Sequence, residues 1–145
     1  MPFMWADTLL ADERAHLLRV IVWAGASVLL GTALVAGVRF RGGRTDFLER
    51  FGLLTALGGG AELVLGLSAL STLTLRDVAG ATRLDRMLWL RIGVECGVIL
   101  AGFALVLAAW RPSRRAGLMG AAVAMIVQGA ALALLDLLLA AQISR

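Results

Sequence analysis

Residues 88–110 read LWLRIGVECGVILAGFALVLAAW, an apolar stretch that is long enough to cross a membrane as one helix. The hydrocarbon core of a bilayer is about 30 Å thick, and a helix of roughly 20 apolar residues crosses it. Three other stretches are of similar length and character, so the predicted spans are 17–38, 51–75, 87–110 and 117–141. Lipid offers the backbone no hydrogen bonds, and the alternation of a membrane barrel is absent, so all four are expected to be α-helices.

The composition supports this prediction. Of the 145 residues, 60% are hydrophobic, against about 45–50% in a typical soluble domain. A soluble domain of this size buries only about two thirds of its unfolded surface, so much of the excess would face water. We therefore expect an integral membrane protein.

The connections between the spans are short, at 39–50, 76–86 and 111–116. Short connections place neighbouring helices antiparallel and leave no room for a separate soluble domain. The predicted fold is an all-α membrane protein with four transmembrane helices in an antiparallel up-down bundle, forming a single domain over residues 1–145.

The N-terminal stretch 2–16 mixes apolar residues with Asp7, Asp12 and Glu13. Acids here do not fit a signal peptide, which begins with a basic region. The stretch is consistent with a short interfacial helix or with a frayed amphipathic terminus, and we favour the interfacial helix.

All 14 basic residues are arginine, which together with many Ala, Gly, Leu and Val residues suggests a GC-rich bacterial genome. Arginines that flank spans account for the net charge of +4, so we expect the lipid bilayer as partner and no nucleic acid. Seven arginines fall on each side of the membrane. Discounting Arg19 and Arg91, which lie within spans, favours cytoplasmic first and third loops and periplasmic termini, in a bacterial inner membrane.

Polar residues inside the spans are the candidate functional residues. Insertion scales assign a central charge a cost of about 2.5–3.5 kcal/mol, so such side chains face the bundle, are protonated or are paired. Arg91 and Glu95 are four residues apart and therefore share one face of their helix. Asp136 in the fourth span lies at a similar depth in the membrane, so we expect these three side chains to form a cluster. Glu62 and Gln128 are predicted to form a deeper layer with Ser27.

These layers have two interpretations. In the first, they are structural contacts between helices that fix one register. In the second, Glu62, Glu95 and Gln128 bind a ligand or relay a proton, because buried carboxyls exchange protons or pair with cations. Contacts to another subunit remain a third alternative.

Small residues are candidates for helix packing, namely Gly93, Gly97 and Ala101 in the third span and Gly129 in the fourth. Residues 58–60 are three consecutive glycines, which favour close packing over a loosened helix that admits a ligand. Glycine on outer faces would favour assembly with other chains.

No catalytic motif is present, so an enzyme is not expected. The chain has a single histidine, His16, before the first span, and a single cysteine, Cys96. We therefore expect no haem, no metal site and no other cofactor.

The third and fourth spans resemble an uncharacterised family of small four-span bacterial membrane proteins. In that family the third span carries Trp-Leu, then Gly, an acid and Gly, and the fourth carries Gln-Gly and a late Asp. The matching residues here are Trp89, Leu90, Gly93, Glu95, Gly97, Gly102, Gln128, Gly129 and Asp136. Glu95 stands where the family has Asp, and Glu62 stands near a family Asn. The resemblance implies a fold and no activity.

The sequence thus predicts a small non-catalytic structural or accessory component that assembles with itself or with a larger membrane complex. The alternative is a proton-coupled carrier, or a binder of a lipophilic or cationic small molecule, that uses Glu62, Glu95 and Gln128.

Overall fold

The computed structural model describes residues 4–42, 45–110 and 115–143, which form four helices. The helices are α1 (Met4–Phe40), α2 (Asp46–Ser71), α3 (Val78–Ala109) and α4 (Ala116–Ile143). Each is long and apolar enough to cross a membrane. The all-helical, four-span architecture predicted from the sequence is therefore supported.

The helix ends differ from the predicted spans for local reasons. α2 ends at Ser71 instead of Leu75, and its last turn closes with tighter backbone hydrogen bonds from the Thr72 and Leu73 amides to the Ala69 and Leu70 carbonyls. α3 begins early because the Asp77 side chain accepts a hydrogen bond of 2.7 Å from the Gly80 amide, which is the geometry of an N-cap. After α1, Gly42 adopts a left-handed conformation that glycine tolerates without strain.

The prediction of a separate N-terminal interfacial helix is wrong, since α1 runs without a break from Met4 to Phe40. No glycine or proline interrupts residues 4–24, and one face of this segment is buried at Ala6, Leu9 and Glu13. Leu9 of this segment is covered by the bundle, whereas Met4 and Trp5 remain exposed.

The packing is uneven, with α4 at its centre. α4 contacts α1, α2 and α3, and it is the most deeply buried of the four. α3 packs against α4 alone in the described part of the chain, so α2 and α3 do not pack although they follow each other in sequence. The space that separates α2 from α3 is called the gap below.

Small residues bring α1 and α2 close together. The Gly31 and Gly52 backbones are in direct contact, and a methyl group at Gly59 would lie 2.7 Å from Ser27 Cβ. Of the three consecutive glycines, Gly60 has open space around it, so close packing explains Gly59 and not the whole run.

In the described part of the chain, the predicted packing glycines of α3 face away from the other helices. Gly93 and Gly97 have no neighbour within 4 Å, and Ala101 is exposed, so these residues form an outer face of α3. α4 instead packs on the opposite face of α3, where Gly102 contacts Ala122 and Ile126. Gly129 does pack as predicted, against the backbone of Glu95 and the side chain of Ile99.

Candidate functional site

Five ionisable side chains meet at one level of the bundle, and all four helices contribute to them. This charged cluster consists of His16 from α1, Glu62 from α2, Arg91 and Glu95 from α3, and Asp136 from α4. It lies toward the end of the bundle where α1 and α3 begin.

Asp136 is the centre of the charged cluster. Its side chain has no exposed surface, and it lies between a histidine and an arginine on different helices. His16 Nε2 is 3.1 Å from Asp136 Oδ1, and Arg91 Nε is 3.1 Å from Asp136 Oδ2. Asp136 therefore connects α1 to α3 through α4, which lies between them.

Arg91 spans the gap between α2 and α3. Its second terminal nitrogen lies 3.4 Å from Glu62 Oε2, while its Nε contacts Asp136. The Arg91 side chain is 41% exposed and that of Glu62 is 22% exposed, in contrast to the buried Asp136. The charged cluster is thus closed on its α4 side and open toward the gap.

Glu95 lies one helical turn beyond Arg91 and is 6% exposed. Its carboxyl adjoins that of Asp136, with Arg91 and Glu62 also close. The buried Glu95 Oε2 has no hydrogen-bond partner among the described residues, and neither has His16 Nδ1. Buried polar atoms without partners are rare, so these two mark places where the site can form a further hydrogen bond.

The charge balance of this site is unusual. Three carboxyls face one guanidinium and one imidazole, so even with His16 protonated the fully ionised cluster would carry one excess negative charge. Adjacent carboxyls disfavour simultaneous ionisation, and burial disfavours uncompensated charge. Such an arrangement is suited to holding an exchangeable proton.

Gln128 belongs to a separate, deeper contact. Its amide oxygen accepts a 2.9 Å hydrogen bond from the Trp23 indole, and its amide nitrogen donates a 3.0 Å hydrogen bond to Ser27 Oγ. The sequence placed Gln128 with both Ser27 and Glu62. The structure brings Ser27 to Gln128 but not Glu62, because Arg91 pairs with Glu62 and the indole occupies the Gln128 oxygen.

A second buried charge pair lies nearer the end of the bundle, between α1 and the α2–α3 connection. Arg76 makes two hydrogen bonds to the Glu13 carboxylate, of 2.8 and 2.6 Å. Bonding to Glu13 raises the pKa of Arg76 above its ordinary value, so the guanidinium remains charged at any working pH. This pair fixes the start of α1 to the connection.

Sequence reasoning missed the roles of His16 and Glu13, because both residues precede the predicted first span. A helical spacing was nevertheless visible. Leu9, Glu13, His16 and Val20 recur at intervals of three or four residues, and all four are buried on one face of α1. Extending the first helix backward along this face would have placed both polar residues inside the bundle.

No three of the described His, Cys, Asp and Glu residues are arranged to hold a metal ion. In the charged cluster the carboxyls face the Arg91 guanidinium and the His16 imidazole instead. Cys96 is a free, exposed thiol on α3.

Comparison with known proteins identifies one match. A model for a family of unknown function, DUF6992, matches residues 19–137, which includes every member of the charged cluster except His16. No curated protein and no solved structure matches the chain. The predicted resemblance to an uncharacterised family is therefore confirmed.

Proposed function

Because the chain belongs to the family of unknown function DUF6992, we propose a role from the site itself, that of a non-catalytic membrane protein that binds a proton in competition with a cationic molecule. This would be the chemistry of a proton-coupled carrier or of a proton-linked binder. The observation that carries the proposal is that the charged cluster holds three carboxyls against one guanidinium and one imidazole, with Asp136 and Glu95 buried.

A purely structural contact would need fewer acids. One arginine and one carboxylate suffice to link two helices, and a buried pair contributes little net stability. Here Glu62, Glu95 and Asp136 share Arg91, and Glu95 retains an unpartnered oxygen. A proton on Glu95 would neutralise the excess charge and supply a donor to the adjoining carboxylate.

The gap between α2 and α3 supplies the access that exchange requires. Arg91 and Glu62 are the partly exposed members of the charged cluster, and within the described ranges α3 packs on α4 and not on α2. A cationic ligand entering the gap would compete with Arg91 for Glu62. Release of Arg91 toward Asp136 would then favour loss of the Glu95 proton.

Transport by purified protein in vesicles tests this function. We expect an outward gradient of a lipophilic cation such as tetraphenylphosphonium to drive proton movement, reported by a trapped pH-sensitive dye, after correction for protein-free vesicles. Glu62→Gln should abolish that movement. Glu49→Gln, at an exposed pair with Arg39, is the matched control and should leave it unchanged. Movement that persists in a well-folded Glu62→Gln protein would contradict the proposal.

Assembly is a second candidate function, favoured by the outer face of α3. Gly93, Gly97 and Ala101 form a small-residue surface opposite α4, and close helix approach in membranes uses such surfaces. In this role the chain would be a structural or accessory component of a homo-oligomer or of a larger complex. The bacterial inner membrane, with both termini periplasmic, is the location proposed for either role.

Cys96 offers a direct test of assembly, since it is the only cysteine in the chain and borders this face. We expect a short bis-maleimide to link two copies through Cys96 in intact membranes. Gly97→Leu should reduce the yield, whereas Gly60→Leu, which alters an open position on α2, should not. Exclusively monomeric protein would count against self-assembly, and unrelated proteins recovered in fixed proportion would indicate a larger complex.

A further inference from the structure

An apolar groove runs along the outside of the bundle between α1 and α4. Its volume is about 580 Å³, and it is separate from the charged cluster. One wall is formed by residues 18–26 of α1 and the other by residues 131–135 of α4. α1 and α4 make the least extensive of the helix contacts, and Ala26 and Ala131 leave its floor open.

Arg19 lines this groove at the end nearer the start of α1. Its side chain is exposed, and it forms no ion pair within residues 4–42, 45–110 and 115–143. An unpaired guanidinium on a membrane-spanning helix is costly unless it reaches the headgroup layer or meets an anion. Arg19 therefore provides a charge that no acidic side chain of the described residues neutralises.

The rest of the groove is suited to a hydrocarbon chain. Arg19, Val22 and Ala26 lie on one face of α1, and Ala26 lies about 10 Å along the helix from Arg19. Trp23 also lines the groove, but its indole N–H is already bonded to Gln128, so it offers no free donor. Below Arg19 the groove thus presents apolar surface alone.

We propose that this groove holds one anionic phospholipid of the surrounding leaflet. The phosphate pairs with the Arg19 guanidinium, and one acyl chain lies between α1 and α4. A zwitterionic phospholipid carries its own ammonium group, which partly neutralises the phosphate, so an uncompensated arginine favours a lipid with net negative charge. None of the groove residues belongs to the charged cluster, and the inference does not depend on the proposed function.

Trp23 permits a direct measurement. In a variant in which Trp5, Trp89 and Trp110 are replaced by Phe, the remaining fluorescence comes from the groove. The variant is placed in phosphatidylcholine vesicles that contain a minor fraction of brominated lipid, which quenches a neighbouring indole. We expect brominated phosphatidylglycerol to bind the groove about fivefold more strongly than brominated phosphatidylcholine, the effect of one favourable lipid–arginine contact.

Two charge variants in this background control the measurement. Arg19→Gln should remove the preference, so that the two brominated lipids bind equally. Arg86→Gln, which removes an exposed arginine from α3, should preserve the preference. Equal quenching by the two lipids before mutation would overturn the proposal, as would a preference that survives Arg19→Gln or that Arg86→Gln also removes. Quenching that is weak with both lipids but increases when the protein is diluted would show that a second copy of the chain occupies the groove. That result would also overturn the proposal.

Discussion

Arg91 Nε lies 3.1 Å from Asp136 Oδ2, and this contact joins α3 to α4, the helix on which α3 packs in the described part of the chain. Through the same guanidinium Arg91 reaches Glu62 on α2, a helix that α3 does not pack against within the described residues. One side chain therefore both closes the charged cluster and bridges the gap in the fold.

Asp136→Ala is expected to destabilise the protein, because it leaves the Arg91 and His16 side chains without their central acceptor. Removing one partner of a buried charge pair costs about 3 kcal/mol. Adding Arg91→Ala should restore part of this loss, since a lone buried charge is worse than none, and Glu62 can then be neutralised by a proton. Thermal unfolding in detergent measures the effect.

Asp85→Ala serves as the control for this pair, because Asp85 lies on the same helix as Arg91 and forms no ion pair in the described ranges. It should change stability by less than about 0.5 kcal/mol. If the losses from Asp136→Ala and Arg91→Ala simply add, the two residues are not energetically coupled, and the assignment of the pair is wrong.

Gly59→Ala is expected to weaken the α1–α2 interface by about 1–3 kcal/mol, because the added methyl group would overlap Ser27 Cβ and approach the Ala24 carbonyl. Gly60→Ala changes the adjacent position, where nothing lies within 4 Å, and should leave stability unchanged or raise it by about 0.5 kcal/mol. Unfolding in mixed micelles by denaturant compares the two variants. Equal effects would mean that α1 and α2 are not this close.

Arg76→Ala is expected to cost more than Arg39→Ala, although each removes one arginine from an ion pair. Arg76 makes two short bonds to Glu13, which is 8% exposed, whereas Arg39 contacts Glu49 at 3.4 Å with both side chains exposed. We expect a loss of about 2 kcal/mol for the first and less than about 0.5 kcal/mol for the second. A comparable loss at both sites would show that Glu13 is not held by Arg76.

For Arg76 the pH dependence has a definite sign. The pKa of this guanidinium is raised on folding, so its contribution to stability is fully present below its unfolded pKa and declines only as pH rises through the folded value. Both values lie in the strongly alkaline range, so titration of Arg76 itself should not change stability near neutral pH.

The spans could be predicted from the sequence because hydropathy and length constrain a membrane helix strongly. Arg91 and Asp136 could be paired as well, since the four-residue spacing of Arg91 and Glu95 and the matching depth of Asp136 follow from helix geometry. Helix rotation was harder to predict. The sequence suggests internal packing for Gly93 and Gly97, because surfaces that face lipid and surfaces that face other helices are both apolar and rich in small residues. The structure places both glycines on the outer face of α3.

His16 and the course of α1 could not be predicted for a related reason. Polar residues at the start of a membrane helix are compatible with water, an interface or the bundle, and only the position of α4 decides among them. Once Asp136 approaches within 3.1 Å of His16 Nε2, residues 4–16 are fixed to the bundle as part of α1. The partner of Glu62 could not be predicted either, because it depends on which helices pack against each other and which remain apart.

Infrared spectroscopy of the protein in lipid vesicles, titrated over pH, tests the central claim most directly, because the carbonyl stretch of a protonated carboxyl is separate from the carboxylate bands. At neutral pH we expect a protonated carboxyl inside the bundle that shifts on deuteration and is lost in Glu95→Gln but retained in Glu49→Gln. Its absence at neutral pH, or its survival in Glu95→Gln, would contradict a charged cluster that holds an exchangeable proton on Glu95.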